Sequence, residues 1–160
     1  MDLLKKAIQM EIDAGAYYSL QAVKNKGTSI ENAFSILAKE EHKHEEILRR
    51  SIDDPNIQTY ENQYSENDHL FVDPGDFQIE AGFTPDQLEV YRAAMVMEQS
   101  MIKLYKDIES ETSDSKELRV LNFLIHQEQR HYDLFDSLEK LVRRPVDWVE
   151  AAEFGEREDY

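Results

Sequence analysis

The chain has 160 residues, enough for one domain that buries roughly two thirds of its unfolded surface. With 34 acidic against 18 basic residues its net charge is -16, which repels phosphate backbones and anionic headgroups, so neither nucleic acid nor a membrane surface is expected as a partner. There is no cysteine, which excludes disulfides, thiolate catalysis and sulfur-ligated zinc or iron within the chain.

Five glycines and four prolines leave long uninterrupted segments with a helical rather than an alternating period, so the fold class expected is all-α. A first helix is predicted from about Leu3 to Asn25, with Asp2 as N-cap and Gly27 as the stop. Its inward stripe is Leu4, Ile8, Glu11, Gly15, Tyr18 and Ala22. A second opens with a capping box, Thr28 to Glu31, and runs to about Arg50 with the stripe Ile30, Phe34, Leu37, Glu41, His44 and Leu48. About thirty residues, Ile52 to Phe83, follow without a sustained period. A helix of some 24 residues is about 36 Å long, so this segment has the length of a crossover returning to the opposite end of a bundle, with room for a short helix inside it.

The third helix opens at Thr84, with Pro85 at its first position and Gln87 reaching back, and continues to about Ser110. Its stripe is Leu88, Tyr91, Ala94, Glu98, Met101, Tyr105 and Ile108. The fourth starts after Asp114, with Glu117 completing the cap, carries Leu121, Leu124, Glu128, His131, Phe135 and Leu138, and is predicted to end before Pro145. Short connections near Gly27 and Ser113 imply two antiparallel hairpins joined by the crossover, a four-helix bundle over residues 1–144. Residues 145–160 form a tail, helical around Trp148, Val149 and Ala152, expected to close an end of the bundle or dock on a partner subunit. Residues 1–25 contain Asp2, Lys5, Lys6, Glu11 and Asp13 and no apolar run of signal-peptide kind, which makes a soluble, cytoplasmic protein the expectation.

Each apolar stripe carries a glutamate near its middle, and two carry a histidine one turn later. Shifting the first hairpin by 87 positions lays Glu11 on Glu98, Tyr18 on Tyr105, Glu41 on Glu128 and His44 on His131. The shared residues of this internal repeat are polar residues in core positions, and a pseudo-twofold axis brings the carboxylates of both halves together. One glutamate from each of two helices and a Glu-x-x-His pair from each of the others is a ligand set for two metal ions. Four carboxylates balance two divalent ions, and oxygen-rich ligation without sulfur favours iron or manganese, with zinc able to occupy the site in a given preparation. A single Glu-x-x-His is usually a solvated helix face, but four buried glutamates without cations would have to be protonated or paired with bases, and the stripes offer no lysine or arginine.

Within LAKEEHKHEEIL (residues 37–48), only Glu41 and His44 share the stripe of Leu37 and Leu48; Glu40, His42 and Glu46 read as a solvated run, with Glu45 at its edge. His42, His69 and His126 fall off the stripes or in the crossover and are expected at the surface. Tyr18 and Tyr105 lie two turns beyond Glu11 and Glu98, and helical side chains lean toward the N-terminus, so their hydroxyls either approach the ligand carboxylates, as the 87-residue symmetry favours, or bind some other partner as core aromatics. Met101 and Ala14 read as packing residues.

Through Glu11…Tyr18, Glu41-x-x-His44, Glu98…Tyr105 and Glu128-x-x-His131, residues 1–144 resemble the ferritin-like superfamily and, within it, the rubrerythrin group. The resemblance implies a non-haem di-iron oxidoreductase that reduces hydrogen peroxide, a dimer or small homo-oligomer, and, since this chain has no cysteine for a rubredoxin domain, a separate electron donor such as a rubredoxin-like protein. Rubrerythrins generally add a glutamate one turn after the third-helix ligand; here that residue is Met101, and the remaining six ligands also resemble the ferroxidase centre of bacterioferritin. Ferrous iron oxidation by oxygen or peroxide is therefore the second reading, and a structural or adaptor bundle without turnover the third. Glu41 and Glu128, each beside its own histidine, are the expected bridging ligands, and Glu11 and Glu98 the terminal ones.

Overall fold

A computed structural model describes residues 2–53 and 85–154. Four helices account for nearly all of them: α1 (Leu3–Lys24), α2 (Ser29–Asp53), α3 (Pro85–Glu111) and α4 (Ser115–Phe154). No strand occurs among the described residues. The crossover between α2 and α3, including the Thr84 cap, lies outside them, as does His69.

Local chemistry sets the helix ends. Asp2 caps α1 by accepting the Leu4 N–H at 3.2 Å. Gly27, with φ of 83°, makes the left-handed turn into α2 that a side chain would resist. The capping box expected there takes another form. The Glu31 carboxylate accepts the N–H of Gly27 at 2.7 Å, not that of Thr28, while the Thr28 hydroxyl donates back to the Asn25 carbonyl at 2.7 Å. At the second hairpin the Asp114 carboxylate accepts the Lys116 N–H at 2.8 Å and caps α4.

The fourth helix does not end before Pro145; it continues through it to Phe154. Proline withdraws a single N–H from the ladder and its φ already suits a helix. The residues that follow include the good helix formers Glu150, Ala151 and Ala152, and no glycine stops the helix before Gly155. The surroundings of the tail's side chains lie outside the described residues.

α1 packs chiefly on α2 and α3 on α4, with lighter contact of α1 with α3 and of α2 with α4, which is the two-hairpin bundle. Its core is in two apolar layers. One holds Tyr18, Phe34, Leu37, Tyr91, Phe135 and Leu138, with the Tyr18 ring stacked on Phe34 and Phe135 at centroid distances of 6.1 and 5.6 Å. The other holds Ala7, Leu48, Met101, Leu104, Leu121 and Leu124. Each fully buried leucine or phenylalanine contributes roughly 1.5–3 kcal/mol, which offsets the cost of the polar residues between the layers. Along every helix a glutamate falls between them: Ile8, Glu11, Ala14 on α1; Leu37, Glu41, Leu48 on α2; Ala94, Glu98, Met101 on α3; Leu124, Glu128, Leu134 on α4.

Candidate metal centre

Glu11, Glu41, His44, Glu128 and His131 are completely buried, and Glu98 is 2% exposed. Helical periodicity accounts for this, since each occupies the inward stripe of its helix and the three-residue Glu-x-x-His step keeps both side chains on one face. The six converge in two groups: Glu11, Glu41, His44 and Glu128, and Glu41, Glu98, Glu128 and His131, each with one ligand atom per residue and all such atoms within 4.8 Å of one another. Glu41 and Glu128 belong to both groups, Glu11 and Glu98 to one each.

The two halves mirror each other in their distances. His44 Nδ1 lies 2.8, 3.2 and 3.6 Å from oxygens of Glu128, Glu41 and Glu11. His131 Nδ1 lies 3.0, 3.2 and 3.7 Å from oxygens of Glu41, Glu128 and Glu98. The imidazole rings stack at 5.6 Å. Two ligands each about 2.1 Å from one ion and at right angles stand about 3 Å apart, the spacing found here.

Alignment also suits a shared cation better than direct bonds between the groups. His131 Nδ1 is near three carboxylates yet in hydrogen-bond geometry with none, and neither oxygen of Glu41 or of Glu128 has a hydrogen-bond partner. Buried polar atoms left this way are rare, because each costs about 1–3 kcal/mol or more. No lysine or arginine is among the buried residues described, so the residues present fit a pair of metal ions.

In the polypeptide alone, protons do part of the work of those charges. Burial, then the Glu41 charge, pushes the Glu11 carboxyl up to about 8. Burial, then the Glu128 charge, pushes Glu98 up to about 7. Burial acts to lower His44 and His131, but the facing carboxylates, Glu128 and Glu11 for the first, Glu41 and Glu98 for the second, hold both well above the usual imidazole range.

The tyrosines reach the carboxylates crosswise. The Tyr18 hydroxyl donates to Glu98, and the Tyr105 hydroxyl donates to Glu11, each across the α1–α3 junction. Burial, followed by the Glu98 charge for Tyr18 and the Glu11 charge for Tyr105, holds both phenols well above their ordinary value, so they remain donors. Met101 and Ala14 are buried in the apolar layers on either side. His42 and His126 are exposed; His42 lies 3.3 Å from Glu45, which accepts from Arg49 at 2.8 Å.

One expectation fails. Glu40 is not part of a solvated run: its side chain is 13% exposed and its Oε2 lies 2.5 Å from His131 Nε2. Burial acts to raise its carboxyl, but the hydrogen bond and charge of His131 outweigh it and hold Glu40 below the usual range. The 87-residue shift that aligns the ligands also lays Glu40 on Gln127, a second buried polar residue beside a ligand, but a polar pair off the stripes reads in sequence as a solvated face.

The family model described as Rubrerythrin matches residues 2–139. No curated protein and no solved structure matches the chain.

Proposed function

The chain belongs to the rubrerythrin family, and on that footing we propose that it is a non-haem di-iron oxidoreductase that reduces hydrogen peroxide with electrons from a separate donor. The observation that carries this reading is the pair of buried carboxylate–histidine groups sharing Glu41 and Glu128. Glu11, Glu41, His44 and Glu128 would hold one ion, and Glu41, Glu98, Glu128 and His131 the other, with Glu41 and Glu128 bridging. Two iron ions bound there would supply one electron each, the two that hydrogen peroxide needs, with two protons, to become two waters.

The polypeptide contributes position, charge and dryness. Four carboxylates match the charge of two divalent ions, which lowers the cost of keeping them buried. Tyr18 and Tyr105 hold the terminal carboxylates of Glu98 and Glu11 by hydrogen bonds from opposite helices. The apolar layers around Phe34 and Phe135 on one side and Leu48 and Leu121 on the other exclude water from the ligands. With no cysteine in the chain, reducing equivalents would come from another protein, for which a rubredoxin-like donor has suitable chemistry.

A second reading has its own observation. Met101, where rubrerythrins generally carry a further glutamate, is 3% exposed in the apolar layer and offers no hard oxygen ligand. The six-ligand set that remains also suits oxidation of ferrous iron as substrate by oxygen or peroxide. Anaerobic iron loading followed by rapid mixing with peroxide or with oxygen separates the two. Much faster oxidation by peroxide, with turnover once a donor is supplied, is the expected result. Oxidation by oxygen that continues as ferrous iron is added, with ferric product accumulating, would replace the first reading by the second.

A further inference from the structure

The two halves of the repeat match at every proposed ligand but differ at the residue before each Glu-x-x-His: Glu40 on α2, Gln127 on α4. Both are largely buried, Gln127 being 7% exposed. Only one can carry a charge. Glu40 Oε2 stands 2.5 Å from His131 Nε2, the ring nitrogen opposite the Nδ1 that faces Glu41, Glu98 and Glu128. With Nδ1 committed to the centre, Nε2 carries the ring hydrogen and donates it to Glu40. A carboxylate in that place fixes the tautomer, holds the ring's orientation and makes the facing nitrogen a stronger donor to a metal. An amide at the symmetry-related position has no charge with which to do the same.

We propose that Glu40 is a positioning residue that makes the centre unsymmetrical, so that the position formed by Glu41, Glu98, Glu128 and His131 binds a divalent ion first and more tightly than the position formed by Glu11, Glu41, His44 and Glu128. The proposal rests on the di-metal reading above. It gives the two positions separate characters: one retains its ion while the other exchanges.

The test uses the full chain, stripped of metal by chelation and titrated anaerobically with cobalt(II), followed by calorimetry and visible absorption. The unaltered protein is expected to take up two ions in unequal steps. Glu40→Gln keeps the shape and removes the charge, and is expected to weaken the tighter step by about tenfold to a hundredfold and bring the two steps together. Gln127→Glu is expected to strengthen the weaker step. Proton NMR of the cobalt-loaded protein gives a readout that packing alone would not move: an exchangeable histidine N–H that persists in the unaltered protein and exchanges quickly in Glu40→Gln.

Two ions bound by the unaltered protein, with affinities in Glu40→Gln within about twofold of its own, overturn the role of Glu40 and leave the di-metal reading standing. Fewer than two ions bound by the unaltered protein overturn both. Should Glu40→Gln fail to fold, Gln127→Glu decides: a weaker step left unchanged overturns the proposal, and a strengthened one supports it.

Discussion

The hydroxyl of Tyr18 on α1 donates to the carboxylate of Glu98 on α3, 80 residues away in sequence. With the reciprocal bond from Tyr105 to Glu11, the two hairpins are tied to each other at the centre itself. Contact between α1 and α3 is light compared with the packing inside each hairpin, and these crossed bonds add to the apolar packing between the two helices.

Removing either hydroxyl should therefore affect both stability and the site. Removing one partner of a buried hydrogen bond leaves the other unsatisfied at a cost of about 1–3 kcal/mol, and Tyr18→Phe keeps the stacking on Phe34 and Phe135 while deleting that bond. Tyr18→Phe and Tyr105→Phe should each lower the unfolding free energy of the metal-free protein by about 1–3 kcal/mol, as read by urea denaturation. Each should also weaken metal binding, since Glu98 or Glu11 is then free to turn. Loss of neither property would mean that the hydroxyls do not position the carboxylates.

The sharing of Glu41 between both groups predicts unequal consequences for two otherwise similar carboxylates. Glu41→Ala removes a ligand from each position and should leave fewer than one metal per chain after iron-supplemented expression. Glu11→Ala removes a ligand from one position and should leave the other able to fill. Elemental analysis of the purified variants measures this, and equal metal content in the two would contradict the bridging role assigned to Glu41.

These features were not equally legible in the sequence. The six converging residues were readable because glutamate in an apolar stripe is anomalous, and because the 87-residue repeat showed the anomaly twice. The direction in which the tyrosines lean was readable too. Which glutamate each meets was not, because that depends on how α1 settles against α3, and no period within one helix encodes it. The cover over Glu40 is not legible for a related reason: it lies off the stripe of α2, and its long side chain is covered only because α4 brings His131 to it. At the end of α4 the helix runs on through Pro145, against the rule that helices stop before proline. At Gly27, the left-handed backbone presents its own N–H to Glu31 and displaces the expected capping box.

The raised carboxyls predict how the metal-free protein responds to pH. Glu11, held up to about 8, and Glu98, held up to about 7, both keep their protons to higher pH in the folded chain than at the unfolded value of 4.5. Between those limits the folded state binds more protons than the unfolded, so stability falls as pH rises. The contribution is full below 4.5 and is lost as pH passes through 7 and then 8. His44 and His131, held above 6.5, act in the same sense: their contribution is full below 6.5 and lost as pH rises through their folded values. Glu40, held below 4.5, acts oppositely and matters only on acidification. Thermal unfolding of chelated protein should show a midpoint that drops from about pH 5.5 to about pH 8.5. With a divalent metal present the slope should reverse, because the ions take only deprotonated ligands and release the protons. A metal-free midpoint that rises over this range would contradict the assignment.

Gly15 lies on α1 against α2, one turn beyond Glu11, where a small residue suggests that two backbones need to come close. The geometry does not demand it. A Cβ built at Gly15 would stand 3.5 Å from the Glu41 Cβ and 3.7 Å from the Ala38 carbonyl oxygen, ordinary contact distances. Its backbone is helical, so an alanine there meets no conformational strain. Glycine inside a helix costs roughly 0.5–1 kcal/mol relative to alanine, and with no clash to set against that gain, Gly15→Ala should stabilise the metal-free protein by about this amount. The new methyl touches Glu41 at its Cβ and not at its carboxylate, so metal content should be unchanged. Denaturation and elemental analysis on one preparation test both halves: a loss of stability would mean that α1 and α2 have no room for the methyl group, and a loss of metal that Glu41 needs the freedom glycine leaves it.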